Sequence, residues 1–259
     1  MLPYAGALLL LAVVVAVTLA VANGGTAPPA PPAIVIVTPP PAPGAGRALA
    51  PARDPVGAVP SDLQQSVDLT RFRRGGYFHV PQRWVAGFYS VYGVAERTFG
   101  VNWLLLASVH AQETAFSTSA STYHGLNFAR CCGGPMQFNV TNGPLTTWAR
   151  FASAYRYGRR PRAYPHPTAP HPSIYDDFDA IMAAAWLLRA SGAGVSLDGT
   201  AWRAAYDYYG HDATGIVYAD QVLARAISWS ERGFCANCGL DPGMVGAVQA
   251  AYGVLASRA

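Results

Sequence analysis

The N-terminal part of the chain is dominated by proline, alanine and glycine, and this limits which residues can fold into a domain. From Asn23 to about Pro60 the sequence is mostly Ala, Pro, Gly and Val. Pro-rich segments of this kind stay extended and carry too little patterned apolar surface to form a core. We therefore assign residues 23–62 to a Pro/Ala-rich linker and expect one folded domain over residues 63–259, with a Cys-containing C-terminal extension.

An apolar run precedes the linker. Residues 5–22 contain no charged side chain, and the run is close to the minimum length of a membrane-spanning helix. The triplet Ala20-Val21-Ala22 also matches a signal-peptide cleavage site. Residues 1–22 are therefore predicted to be a signal peptide or a membrane anchor. In either case we expect the folded domain to lie outside the cytoplasm, secreted or anchored to the cell membrane.

The pattern of apolar residues predicts a mostly α-helical domain. Hydrophobic residues make up 51% of the chain, which is ample for a core. Apolar positions three and four residues apart predict helices over residues 81–100, 101–116, 146–155, 175–188, 200–209 and 218–229. Residues 117–143 are predicted to be a long loop, and no convincing strand pattern is present.

A single carboxylate stands on the apolar face of the second predicted helix. That face is formed by Leu105, Leu106, Val109, Glu113 and Phe116. The chain has three glutamates, and Glu96 and Glu231 each stand beside an arginine, whereas Glu113 does not. Burial raises the pKa of a carboxyl group and suits it to act as a general acid near neutral pH. Alternatively, a small rotation of the helix brings Glu113 to solvent beside Gln112.

The residues after Glu113 resemble a known enzyme family. A loop rich in Ser, Thr and Gly leads to the turn Gly-Gly-Pro-Met-Gln-Phe at 133–138, and Ala205-Tyr206-Asp207 follows later. A helix-end glutamate, a Ser/Gly-rich loop, a Gly-Pro-Met-Gln turn and an Ala-Tyr-Asn segment occur in this order in the lytic transglycosylase and lysozyme-like family, which cleaves peptidoglycan. The resemblance extends from about Val101 to about Ile227, which is half of the chain.

This resemblance implies a lysozyme-like helical domain and a role for each matching residue. Glu113 would act as acid and then as base, giving a 1,6-anhydro-N-acetylmuramic acid end without metal or cofactor. The substrate-binding residues implied are Ser121, Met136, Gln137 and Tyr206. The chain departs from the family pattern at three positions. Thr114 replaces a serine, Asp207 replaces the asparagine, and extra residues before the turn displace the loop serine, while Tyr208 is a second candidate for the cleft tyrosine.

The resemblance also implies a partner, namely the glycan strands of peptidoglycan. The arginine-rich loop at 156–172 carries no nucleic-acid-binding signature, so no nucleic acid is expected. We expect a monomer that meets the membrane only through its N-terminal segment and faces the cell wall. The alternatives are a lysozyme-type muramidase, a non-catalytic wall-binding domain, and a component of a surface adhesion or secretion assembly.

Four cysteines offer a zinc site, a redox pair or disulfide bonds. Behind an export signal, structural disulfides are the expected state. Because adjacent cysteines bridge each other only with strain, we expect Cys131 and Cys132 to be cross-linked to Cys235 and Cys238. Sequence alone does not fix the connectivity, since four cysteines allow three pairings.

Overall fold

The computed structural model describes residues 62–73, 79–141 and 146–258, which form a mostly helical domain. The prediction of a mostly α-helical domain is confirmed. The predicted signal peptide or anchor, and the linker up to residue 61, lie outside the described residues. Within the described ranges, no helix combines the length and apolar character needed to cross a membrane.

The helices follow the order of the predicted apolar patterns, with one added at each end. They are α1 (Asp62–Arg73), α2 (Gln82–Ala86), α3 (Tyr89–Phe99), α4 (Trp103–Thr114), α5 (Thr147–Phe151), α6 (Asp177–Ala190), α7 (Gly199–Tyr209), α8 (Ala213–Arg232) and α9 (Pro242–Tyr252). Two 3₁₀ helices, Ala152–Tyr157 and Gly253–Arg258, follow α5 and α9. The sequence pattern did not predict α1 or α9, and the predicted helix over 81–100 is divided into α2 and α3.

A small hairpin interrupts the predicted loop between α4 and α5. Strands β1 (Cys132–Gly133) and β2 (Phe138–Asn139) are antiparallel, with Cys132 opposite Asn139 and Gly133 opposite Phe138. The expectation of no strand is therefore wrong at this point. The hairpin encloses the Gly-Pro-Met-Gln turn, whose two ends are held together by the strand pairing.

Helix α4 is the central element of the domain. Its residues 104–112 are all buried, and it packs against α3, α6 and α8. The Asn102 side chain starts the helix, because its Oδ1 accepts a hydrogen bond from the Leu104 N–H at 2.9 Å. A helix buried on all sides has only its ends near the surface. The last turn of α4, which carries Glu113, is one of these ends.

The cysteines pair differently from the prediction. Cys131 is bonded to Cys132, and Cys235 is bonded to Cys238. The expected cross-links between the hairpin loop and the C-terminal segment are therefore wrong. Each pair is local: the Cα atoms of Cys235 and Cys238 are 5.4 Å apart across a tight turn, which is an ordinary spacing for a disulfide.

Candidate active site

Glu113 lies at the C-terminal end of α4, and the chain changes direction sharply after it. Ala115, Phe116 and Ser117 have φ angles of 50°, 57° and 62°. Three consecutive residues other than glycine in the left-handed region are unusual, because the Cβ atom crowds the backbone there. Strained backbone of this kind occurs at functional sites when the surroundings hold it in place.

Several contacts hold this left-handed turn. The Phe116 ring is fully buried, and its carbonyl accepts a hydrogen bond from the Trp84 indole N–H at 2.7 Å. The Thr114 hydroxyl donates to the Pro135 carbonyl at 2.7 Å and accepts from the Ser117 N–H at 3.1 Å. Thr114, the residue that replaces the family's serine, thus ties the end of α4 to the Gly-Pro-Met-Gln turn.

The Glu113 carboxyl group is partly buried and bonded to a tyrosine. Its Oε1 accepts a hydrogen bond from the Tyr218 hydroxyl at 2.6 Å. Burial raises the pKa of Glu113 to about 7, although the Arg71 cation and the Tyr218 hydrogen bond both lower it and the Asp68 charge raises it further. A carboxyl group with this pKa exists in both protonation states near neutral pH.

The tyrosine that binds this carboxyl group, Tyr218, packs among aromatic side chains from α1 and α7. The Tyr218 ring lies edge-on to Phe72 at 5.6 Å, and parallel to Tyr208 at 6.4 Å. The negative charge of Glu113 contributes to the raised pKa values of Tyr208 and Tyr209, after the larger effect of their burial. Burial of the carboxyl group, which binds this aromatic cluster through Tyr218, is the main cause of its raised pKa.

Helix α1 contributes two charged groups that the sequence did not connect with Glu113. Asp68 and Arg71 form an ion pair at 3.8 Å, and both act electrostatically on Glu113. The Asp68 carboxylate also accepts a hydrogen bond from the Tyr209 hydroxyl at 3.0 Å. These residues precede Glu113 by about forty positions in a polar helix, so no local pattern indicates their proximity.

The Gly-Pro-Met-Gln turn packs beside the site. Gly134 has a φ angle of 76°, and a Cβ atom there would overlap the Ile174 carbonyl oxygen, so the position requires glycine. The Met136 side chain is fully buried in the core, and its carbonyl accepts from the Tyr208 hydroxyl at 2.7 Å. Gln137 is partly exposed, and its Nε2 donates to the Gly134 carbonyl at 2.9 Å. Of these side chains, only Gln137 has surface with which to contact a ligand.

The two remaining sequence candidates form no hydrogen bond or ring contact with Glu113 or Tyr218 among the described residues. Ser121 is partly exposed in the loop after the left-handed turn, and its hydroxyl has no hydrogen bond among the described residues. The Tyr206 ring is buried between Trp202 and His211, with centroid distances of 5.3 and 4.7 Å. Two residues along an α-helix correspond to a rotation of about 200°. The structure therefore brings Tyr208, rather than Tyr206, towards Glu113.

Asp207, the acid in the Ala-Tyr-Asp segment, is bound by its own neighbours on α7 and the following turn. It accepts from Arg203 Nε at 2.9 Å and contacts His211 Nε2 at 2.7 Å, and it is almost fully buried. Both of these contacts of the Asp207 carboxylate are with basic side chains, Arg203 and His211. Asp207 is therefore held by a local ion-pair network rather than by the surroundings of Glu113.

A buried constellation of serine, histidine and aspartate lies beneath the site. The Tyr92 hydroxyl contacts His110 Nδ1 at 2.8 Å, His110 Nε2 contacts Ser117 Oγ at 2.7 Å, and Ser117 donates to Asp177 at 2.7 Å. Burial lowers the pKa of His110 to about 3, so its ring is neutral. Because the Ser117 hydroxyl donates its hydrogen bond to Asp177 and not to His110, and because the histidine nitrogens are both engaged, the serine is not activated as a nucleophile. The constellation instead anchors the left-handed turn.

A cluster of two aspartates and a histidine joins the N-terminus of α6 to the arginine-rich loop at 156–172. Each of His171, Asp176 and Asp179 has one possible metal-ligand atom, and these three atoms lie within 4.8 Å of one another, as they would in a metal site. The Arg160 guanidinium, however, donates to both carboxylates and contacts His171 Nδ1 at 2.7 Å. A cation that belongs to the protein thus fills the centre of the cluster, and the arrangement is an ion-pair network.

Replacing Tyr218 with phenylalanine should raise the pKa of Glu113. The Tyr218 hydrogen bond lowers that pKa, so its removal should raise the pKa above 7, by about one pH unit. The measurement is a pH titration of the Glu113 carboxyl carbon by NMR. Tyr209→Phe is the control, since the Tyr209 hydroxyl is bonded to Asp68. An unchanged Glu113 pKa in Tyr218→Phe would contradict the effect of this hydrogen bond.

The arrangement can exchange a proton with a ligand at neutral pH. Glu113 supplies the proton, Tyr218 fixes one carboxyl oxygen, and the aromatic side chains lower the local polarity. Comparison of the chain with known protein families, curated proteins and solved structures gives no match.

Proposed function

We propose that this chain is a peptidoglycan lytic transglycosylase built on a lysozyme-like helical domain. The observation that carries the proposal is Glu113, a partly buried carboxyl group with a pKa of about 7 at the end of a buried helix. The Gly-Pro-Met-Gln turn is tied to the same helix end through Thr114 and lies beside it. This combination agrees with the family resemblance of residues 101–227.

In the proposed reaction, protonated Glu113 donates its proton to the glycosidic oxygen between N-acetylmuramic acid and N-acetylglucosamine. The bond from this oxygen to the muramoyl C1 breaks, and the N-acetylglucosamine hydroxyl leaves with the proton. The Glu113 carboxylate then takes the proton of the muramoyl C6 hydroxyl, whose oxygen bonds to C1. One proton leaves Glu113 and one returns to it, so no water is consumed and one carboxylate serves both steps.

The surroundings of Glu113 suit both halves of this cycle. Burial favours the protonated form that starts the reaction, whereas the Arg71 cation and the Tyr218 hydroxyl favour the carboxylate that the first transfer leaves behind. Proton transfer in both directions is most efficient when the pKa of the group lies near the working pH. Because Tyr218 engages Oε1, we assign the transferred proton to Oε2.

Hydrolysis of the lysozyme type is the second candidate, and Asp68 favours it. Most glycosidases use two carboxylates, one as acid and one as nucleophile or base. The charge of Asp68 acts on Glu113, which makes it the acid available for the second role. However, Asp68 is almost fully buried, and its carboxylate is engaged by Tyr209 and Arg71. These bonds fit a structural role, in which Asp68 holds α1 against α7.

Product analysis separates the two reactions. Wild-type protein acting on purified peptidoglycan should release fragments that end in 1,6-anhydro-N-acetylmuramic acid, which are 18 Da lighter than the hydrolysis products because water is not added. Asp68→Asn preserves an oxygen that accepts from Tyr209 and should retain most of the activity. Mass spectrometry of the released fragments provides the measurement. Reducing muramic acid ends, together with an inactive Asp68→Asn variant, would identify a hydrolase.

The proposed function requires a domain that works outside the cytoplasm. All four cysteines are paired as disulfides, and disulfides persist in oxidising compartments. The export segment at residues 1–22 remains a prediction, as does its attachment to the membrane. In this proposal the domain acts as a monomer on glycan strands, facing the cell wall, and requires no cofactor and no nucleic acid.

A further inference from the structure

A groove of about 600 Å³ lies on the surface beside the C-terminal end of α3. Its walls come from α3, from α6, and from the end of the first 3₁₀ helix together with the residues that follow it. The groove is near the N-terminal end of α4, because Glu96, which precedes the lining residue Arg97, accepts a hydrogen bond from the Trp103 N–H. Glu113 lies near the C-terminal end of α4, roughly 15 Å from Trp103 along the helix axis at 1.5 Å per residue. The groove is therefore separate from the candidate active site.

Two cations line this groove. Arg97 and Arg159 are both exposed, and neither takes part in a salt bridge within the described ranges of the chain. No acidic residue is among the lining side chains. The carboxylate of Glu96, next to Arg97 in the sequence, accepts a hydrogen bond from the Trp103 N–H at 3.2 Å and interacts electrostatically with Arg97, but Glu96 does not line the groove. The groove thus presents positive charge to solvent.

Aromatic rings form the second component of the lining. The Phe99 and Trp186 rings are parallel within 5°, with centroids 6.3 Å apart. The Tyr157 ring lies edge-on to Trp186 at 5.5 Å, and 61% of Tyr157 is exposed. Stacked and edge-to-face ring pairs of this kind stabilise these positions. The exposed ring offers an apolar face against which the C–H face of a sugar can pack.

The floor of the groove depends on Gly158. A Cβ atom at this position would lie 2.7 Å from both Met182 Cε and Val94 Cγ1. The chain can therefore approach α3 and α6 this closely only with glycine. This close approach places Tyr157 and Arg159, the two neighbours of Gly158, on the lining of the groove.

We infer that this groove is a binding site for an anionic glycan, with sugar rings packed on Tyr157 and acidic groups paired with Arg97 and Arg159. The inference rests on the proposed function only for its choice of bacterial cell wall as the source of the glycan. Two wall polymers offer this chemistry: peptidoglycan through its carboxylates, and phosphodiester-linked wall polymers through their phosphates. Occupied together with the Glu113 site, the groove would hold the domain on the wall between cleavage events.

The test measures binding without cleavage. Glu113→Gln protein is mixed with insoluble cell walls at low salt, and the bound fraction is measured after pelleting. Adding Arg97→Gln and Arg159→Gln should weaken binding roughly 10-fold, and Tyr157→Ala should weaken it also. Arg156→Gln with Arg162→Gln is the matched control, because it removes the same charge from exposed arginines of the same segment that do not line the groove.

The source of the glycan is identified by treating the walls. The readout is the difference in bound fraction between Glu113→Gln protein and the groove variant, since both keep the Glu113 site. Loss of this difference after chemical removal of phosphodiester-linked polymers would assign the ligand to those polymers, and its loss after amidation of carboxylates would assign it to peptidoglycan. A difference that survives both treatments, or equal losses in the groove variant and its control, would overturn the inference. If wild-type protein fails to cleave while the groove variant still loses binding, the proposed function fails and the groove stands. If wild-type protein cleaves and the groove variant binds as its control does, the groove fails alone.

Discussion

Replacing Glu113 with glutamine should reduce glycan cleavage about 10⁴-fold or more and leave binding to peptidoglycan intact. Loss of one general acid or base typically costs about 10²–10⁴-fold in rate, and here one residue serves both proton transfers. Glutamine has nearly the same shape, and its Oε1 can still accept the hydrogen bond from Tyr218. The measurements are the release of soluble fragments from purified peptidoglycan, and pelleting of the protein with the insoluble polymer.

The matched control for this prediction is Glu96→Gln. Glu96 is also a partly buried glutamate, and burial also raises its pKa, but its carboxylate is bonded to the Trp103 N–H. The control should cleave at nearly the wild-type rate. Near-normal cleavage by Glu113→Gln would remove the basis of the proposed function.

The stability of Glu113→Gln provides an independent readout of the raised pKa. A carboxyl group whose pKa is higher in the folded protein than in the unfolded chain binds its proton more tightly when folded, so stability falls as the pH rises through about 7. Glutamine carries no such charge. The variant should therefore melt at least as high as the wild type at pH 8, so a loss of activity there cannot be attributed to unfolding.

The placement of Glu113 could be predicted because it depends on local periodicity. Apolar residues three and four positions apart located α4, and the polar loop after it located the helix end. The charges on α1 could not be predicted in this way. Asp68 and Arg71 reach Glu113 through tertiary packing, in which the Phe72 carbonyl accepts a hydrogen bond from Gln221 on α8.

Helix phase explains why the sequence motif and the structure indicate different tyrosines. The motif matches Tyr206, whereas Tyr208 lies on the other side of α7, where its hydroxyl reaches the Met136 carbonyl. Tyr218 belongs to no motif, and only the packing of α8 against α4 brings its hydroxyl to Glu113. A pattern read along one helix cannot specify which of its residues face a helix elsewhere in the chain.

The aspartates at the start of α6 show a similar limit. The sequence predicts an acidic first turn that complements the helix dipole, and the Asp176 side chain does cap the helix by accepting from the Asp179 N–H at 3.0 Å. The sequence does not reveal that Asp176, Asp177 and Asp179 are all fully buried. Asp176 and Asp179 are bound by Arg160 of the arginine-rich loop at 156–172, and Asp177 is bound by Ser117 and Tyr123 of the loop after α4. Neither loop has a periodicity that indicates its path.

Removing the Arg160 guanidinium should cause a large loss of stability. This group donates to Asp176 at 2.9 Å and also to Asp179, and both carboxylates are fully buried. Methionine would keep an apolar stem but leave two buried charges without a cation. Breaking a buried ion pair costs about 3–5 kcal/mol, and we expect the lower end because 26% of the Arg160 side chain is exposed. Urea unfolding at pH 8, followed by tryptophan fluorescence, measures the change.

The pH dependence of this loss distinguishes charge from packing. Burial raises the pKa of Asp179, and the Arg160 cation lowers it in part, so the pKa of Asp179 should rise further in Arg160→Met. Protonation then relieves the unpaired charge, and the difference from the wild type should be largest at pH 8 and shrink towards pH 5. Arg162→Met is the control, because Arg162 is exposed and takes part in no salt bridge among the described residues. An unfolding midpoint for Arg160→Met equal to that of Arg162→Met would show that the network does not stabilise the domain, and a loss independent of pH would assign it to packing.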